Sequence, residues 1–138
     1  MFSNFRYRLT IFFSSGTAGD AEAEANAKFP TPANLSAVST ADLQTLQAEK
    51  KVVDAADKDF DPAIKAANNN STKKALKNGK NKNKVLKITV EVLELEIQKA
   101  KGKNTTAKID KQKKKLDKAV KLDKAAAGQQ SETVQVKA

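Results

Sequence analysis

The chain has no cysteine, no histidine and no tryptophan, and only one tyrosine in 138 residues. These absences remove whole chemistries. Without cysteine there is no disulfide framework and no thiolate metal site, and without histidine there is no imidazole ligand and no triad of the Ser-His-Asp kind. Arginine is confined to Arg6 and Arg8. No stretch approaches the roughly 20 apolar residues needed to cross a bilayer. What remains is carboxylates, hydroxyls and lysines, in no recognisable catalytic constellation, so the sequence reads as non-enzymatic and implies no cofactor and no metal. The balance of charge is strongly basic, with 26 Lys and Arg against 16 Asp and Glu.

Residues 1–33 differ from the rest, holding five of the six phenylalanines, the tyrosine and both arginines. Arg6 and Arg8 precede the apolar run Leu9 to Phe13, small residues follow, and no acid occurs before Asp20. This order suggests a targeting presequence over 1–20. An apolar run of five falls short of the about 7 to 15 of a secretory signal, and the same Arg- and Ser-containing, acid-free start would suit a mitochondrial transit peptide, so the address stays open by this test. Residues 21–38, mixing Ala, Glu and Asn with Pro30 and Pro32, read as a linker.

From Ser39 the helical period takes over. Ser39 or Thr40 caps a helix with Asp42 in its first turn, and Leu43, Leu46, Val52, Val53, Ala56 and Phe60 fall in one arc. Pro62 is expected to end or kink that helix, with Asp61 capping a short successor. Asn68 to Ser71 reads as a turn, and Gly79 as the end of a further short helical piece. Lys84 to Lys101 is the most apolar segment. Ile88 to Val92 alternates like a strand, but the alternation slips at Leu93 and a helix fits better. It is apolar around so much of its girth that other helices must surround it, and Gly102 closes it. Asn104 to Ala127 forms the last helix, with Ile109, Leu116, Val120 and Ala127 as a narrow stripe. Asp110 with Lys114 and Asp117 with Lys121 stand at i, i+4 spacing. The expectation is an all-α fold: a small antiparallel bundle of three to four helices over 39–128, with a disordered N-terminal segment and a disordered tail over 129–138.

Charge is polarised along the chain. Residues 39–64 carry six acids and three lysines, whereas residues 65–90 carry eight lysines and no acid. Lys73, Lys74, Lys77, Lys80, Lys82 and Lys84 are the candidate basic surface, suited to an anionic polymer or a cell-wall or membrane surface. Arginine forks and stacking aromatics are missing from the bundle, so sequence-specific nucleic-acid recognition is not expected. Asp57, Asp59 and Asp61 imitate the start of a calcium loop, but Pro62 stands where the loop needs glycine and Asn68 where it needs the bidentate Glu. Glu96 is the one ionisable group set near the apolar side of the central helix, and it reads as an edge residue reaching water. Four glycosylation sequons begin at Asn34, Asn69, Asn70 and Asn104, all in expected linkers or turns.

The runs Val38-Ser39-Thr40-Ala41-Asp42-Leu43, Val52 to Phe60, Asn70 to Gly79 and Leu122 to Gly128 resemble the uncharacterised small secreted proteins of filamentous fungi. That resemblance covers about two thirds of the chain. It implies an extracellular protein made with a cleavable signal, and it carries no catalytic residues. The functional expectation is therefore a secreted cationic helical protein acting by adhesion or partner binding at the cell exterior. The alternatives are an intracellular basic protein that coats nucleic acid, if the N-terminal segment is retained, and a helical carrier of an apolar ligand.

Overall fold

A computed structural model of the chain describes residues 14–134, and it is an antiparallel helical bundle. Four α-helices follow one another as α1 (Ala21–Lys28), α2 (Thr40–Ala66), α3 (Asn70–Ala100) and α4 (Thr106–Ala125), with a 3-10 turn at Leu35–Ala37. Two short strands, β1 (Gly16–Thr17) and β2 (Gln130–Ser131), pair antiparallel and tie the two ends of the described chain together.

Ser39 caps α2 as expected, its Oγ accepting from the Asp42 N–H at 3.1 Å. Leu46, Glu49, Val53, Ala56 and Phe60 then return every three or four residues to one buried stripe. The helix does not stop at Pro62 but runs on to Ala66. Proline removes one intrahelical N–H, yet the carbonyl left without it, that of Lys58, lies on an exposed turn where water can satisfy it. On the other side Ala63 and Ile64 pack against a cluster of Phe60, Leu76 and Val134, which holds the last turn in place.

Asn69 caps α3, its Oδ1 accepting from the Thr72 N–H at 2.8 Å. The expected break at Gly79 is absent, and α3 continues for 31 residues to Ala100. Gly79 serves a different purpose. A Cβ there would collide with the carbonyl oxygen of Glu132 and come within 2.9 Å of its carbon and 3.2 Å of the Ser14 carbonyl. The missing side chain is what lets the C-terminal segment cross the helix, where the Glu132 N–H donates to the Ala75 carbonyl at 3.0 Å. Gly102, at φ +105°, and Gly128, at φ +81°, do end their helices, in the left-handed conformation that glycine adopts without strain.

Helix α3 is the centre of the molecule, with α2 and α4 flanking it and α1 and the strands laid against it. The core joins Ala21, Ala25 and Phe29 of the α1 region to Leu46 and Val53 of α2, to Val85, Leu86, Val90, Leu93 and Ile97 of α3, and to Ala119 and Val120 of α4. The span 21–38, expected as a linker, is thus part of the packed unit: Ala21 and Ala25 are one turn apart on a face with no exposure, and their small side chains let α1 lie close to α3. The tail expected to be disordered from Gln129 is structured as far as Val134, which is buried. Of the presequence expected over 1–20, residues 14–20 belong to the fold, with Ser14 and Ala18 buried. Residues 1–13 and 135–138 lie outside the described residues.

Candidate anion-binding face

The six lysines expected to form one basic surface separate. Lys82 is 1 % exposed and buried beneath the N-terminal segment. Its Nζ donates to the carbonyls of Ser15 at 3.0 Å and Thr17 at 3.1 Å and stands 3.5 Å from Glu24. It is a structural latch and belongs to no surface. Lys80 is committed to Asp61 at 2.6 Å, a bond that lowers the Asp61 carboxyl below its ordinary value. Lys73 is half-buried near the start of α3, and Lys74 lies over the tail beside Asn78 and Gln130. Lys77 and Lys84, seven residues apart on one side of α3, remain open to solvent.

Those two lysines edge a groove that runs along α3 between its flanking helices. One depression of about 470 Å³ has Asp57 and Lys58 of α2 on one wall, Lys84 and Glu91 on its floor, and Gln112 and Lys115 of α4 on the other wall. A smaller one of about 220 Å³ lies between Lys77 and Asn81 of α3 and Leu122 and Ala126 of α4. The acids on the α2 side are engaged: Lys87 reaches Asp54 at 3.6 Å and Asp57 at 3.8 Å. On the α4 side Lys115 is exposed, and the one acid lining the groove there, Asp123, is engaged with the backbone of Gly19 and Ala21.

Helix α4 supplies the larger basic surface, which the sequence reading passed over. Its buried stripe of Ile109, Ala119, Val120 and Asp123 faces α3. On the opposite side Lys111, Lys114, Lys118 and Lys121 follow one another at three- and four-residue steps, all exposed, over about 15 Å of helix. Lys108 and Lys115 continue this surface toward the groove, and so does Leu122, which is 63 % exposed and the only large hydrophobic side chain so exposed among the described residues. Asp110 and Asp117 lie along the far edge. The expected Asp110–Lys114 and Asp117–Lys121 ion pairs are not closed: Lys113, which reaches Glu96 at 3.3 Å, is the α4 lysine that forms one among the described residues. Exposed pairs of this kind gain so little that holding two long side chains together offsets it.

Glu96 is thus an edge residue with a partner on α4, as its place on the helix suggested. Asp57, Asp59 and Asp61 lie along α2 as helical residues, and no group of three or more acids, among the described residues, is arranged to hold a metal ion. Asn34, Asn69, Asn70 and Asn104 are all exposed, in the turn before the 3-10 helix, at the start of α3 and in the α3–α4 connection. Asn34 accepts from the hydroxyl of Ser36, its own sequon partner, at 2.7 Å.

Two further ionisable groups sit where sequence reasoning did not place them. Asp123 is 2 % exposed and binds the start of α1. Its signal was present: residue 123 follows 109, 116 and 120 on the buried stripe, while Leu122 falls outside it. Glu49 is 4 % exposed on the core side of α2, and burial raises its carboxyl above the ordinary value.

The molecule is an all-helical bundle with a cationic outer helix. The chain belongs to the family described as "Domain of unknown function (DUF8454)", whose match spans residues 7–135. No curated protein and no solved structure matches it.

Proposed function

We propose that this chain is a non-enzymatic binding protein that adheres to anionic polymers or surfaces through α4 and the groove beside it, and that it works at the cell exterior. The observation that carries the reading is the acid-free file of Lys111, Lys114, Lys118 and Lys121, none of which has an ion-pair partner among the described residues. Their charge is available to a ligand at no cost in broken salt bridges. Lysine offers point charges and no fork of donors, which suits adhesion more than the reading of a particular geometry. The larger depression is edged mostly by charged side chains, among them Asp57, Lys58, Lys84, Lys87, Glu91 and Lys115, which disfavours an apolar cargo there.

The test is binding of the purified chain to an immobilised polyanion as salt is raised. About five neutralised charges predict an affinity loss of roughly 10²- to 10³-fold between 0.05 and 0.2 M salt, and Lys114→Gln with Lys118→Gln is expected to flatten that slope. No retention at low salt overturns the reading. The exterior address is tested by fractionating a culture: recovery only inside cells, with residues 1–13 retained, overturns it.

A further inference from the structure

We propose that the α4 face docks on a bilayer surface rich in anionic lipid headgroups, with Leu122 entering the interface and Lys111, Lys114, Lys115, Lys118 and Lys121 lying over the headgroups. This rests on the anion-binding reading and names its ligand. The decisive feature is the company Leu122 keeps. A large apolar side chain, 63 % exposed amid lysines, has nothing to gain from a phosphodiester or sulfated-sugar backbone. At a lipid interface it gains burial, while the lysine stems lie along the apolar boundary and their ammonium groups stay among the headgroups.

The described residues also lack what a nucleic-acid surface would use. They contain no arginine, and both of their phenylalanines, Phe29 and Phe60, are buried. Stacking on bases and bidentate grasp of phosphates are therefore unavailable here. The lysine file occupies about 15 Å along one side of a 20-residue helix, with α3 behind it, so a plane can approach along the whole file. Lys77 and Lys84 of α3 lie on the Leu122 side of that plane and add charge behind the leading edge. No helix among the described residues is long and apolar enough to cross a membrane, which leaves attachment parallel to the surface as the mode.

The experiment is co-sedimentation of the full chain with vesicles of pure phosphatidylcholine and with vesicles of phosphatidylcholine and phosphatidylserine in equal parts. Heparin and duplex DNA serve as parallel arms. Binding to the mixed vesicles alone of the two lipid samples is expected. Leu122→Ser should lower that partition about tenfold and leave heparin binding unchanged, whereas each of Lys114→Gln and Lys118→Gln should lower it roughly fivefold. Because the chain has no tryptophan, Leu122→Trp provides a single indole whose emission should shift to the blue on the mixed vesicles. Retention by heparin or DNA without vesicle binding overturns the lipid assignment and leaves the anion-binding reading standing, as does a vesicle affinity indifferent to Leu122→Ser. Binding to none of the four at low salt overturns both.

Discussion

Asp123, in the last turn of α4, accepts the backbone N–H of Ala21 through Oδ2 at 2.9 Å, a bond that closes 102 residues of sequence. Its other oxygen takes the Gly19 N–H at 3.1 Å. Asp20, at the cap position of α1, makes no side-chain cap bond of its own. A carboxylate borrowed from the far end of the chain therefore does the work of an N-cap, and its negative charge meets the positive end of the α1 dipole. Removing it orphans two donors and detaches α1 from α4. We expect Asp123→Ala to cost about 2–3 kcal/mol in denaturant unfolding, with amide protection lost first across Ala21–Lys28. Full protection of α1 in that variant would show that apolar packing alone holds the helix.

Lys82 makes the same argument from the other side of the N-terminal segment. With the carbonyls of Ser15 and Thr17 as its acceptors, the buried ammonium group depends on residues 14–17 being present. A chain lacking residues 1–20 should be less stable than one lacking residues 1–13 by about 1–3 kcal/mol, because Lys82 exchanges two carbonyl acceptors for water while keeping Glu24 beside it. Thermal melts of the two truncated chains provide the measurement. Equal melting temperatures would mean that residues 14–20 are dispensable, as a leader cut near residue 20 requires.

The bundle was legible because period carries it: Leu46, Val53 and Phe60, and Val90, Leu93 and Ile97, lie on buried stripes that any helical projection reveals. Pro62 and Gly79 misled because both were weighed as local signals. Tertiary context overrode them, through an exposed turn that tolerates a missing N–H and through a crossing backbone that forbids a Cβ. The N- and C-terminal segments were illegible for a related reason. Two-residue strands have no period: β1 is fixed by Lys82 and Asp123, single polar groups whose partners lie about 65 to 100 residues away, and β2 by pairing with β1 and by the Glu132 N–H to Ala75 carbonyl bond. The α4 lysines were visible as composition, but their availability was not. It depends on which helix side faces α3 and on Asp110 and Asp117 leaving their neighbours unpaired.

Gly79 provides a test in which propensity and packing predict opposite signs. In an open helix, Gly→Ala stabilises by about 1 kcal/mol. Here the new methyl group would strike the Glu132 carbonyl, so the segment bearing β2 must lift or the helix must bend. Gly79→Ala is expected to destabilise the full chain by about 1–2 kcal/mol and to expose the Glu132 amide, now bonded to Ala75, to rapid exchange. In a chain ending at Gln129 the Glu132 obstacle is gone and only the looser Ser14 contact at 3.2 Å remains, so the same substitution should lose most of its cost or become stabilising. An identical effect in both chains would mean that the crossing does not constrain Gly79.

The pH dependence of stability should carry a signature of Glu49. Its carboxyl, 4 % exposed on the core side of α2, is pushed above its ordinary value of 4.5 by loss of hydration. The folded state thus holds that proton more tightly than the unfolded chain does. Between 4.5 and the raised folded value the native state binds more protons, so Glu49's contribution to stability falls as pH rises through this window and stays unfavourable above it. Asp61 works in the opposite sense, since Lys80 lowers its carboxyl; its stabilising contribution is present above the ordinary 3.8 and lost as pH falls through its depressed folded value. The two windows do not coincide, which makes them separable. Glu49→Gln removes the ionisation and keeps the shape, so it should raise the melting temperature at neutral pH and leave it nearly unchanged well below 4.5, where wild-type Glu49 is protonated in both states. A variant less stable than wild type at neutral pH would mean that the ionised carboxylate makes a favourable contact in the fold, and the burial penalty would then not be the governing effect.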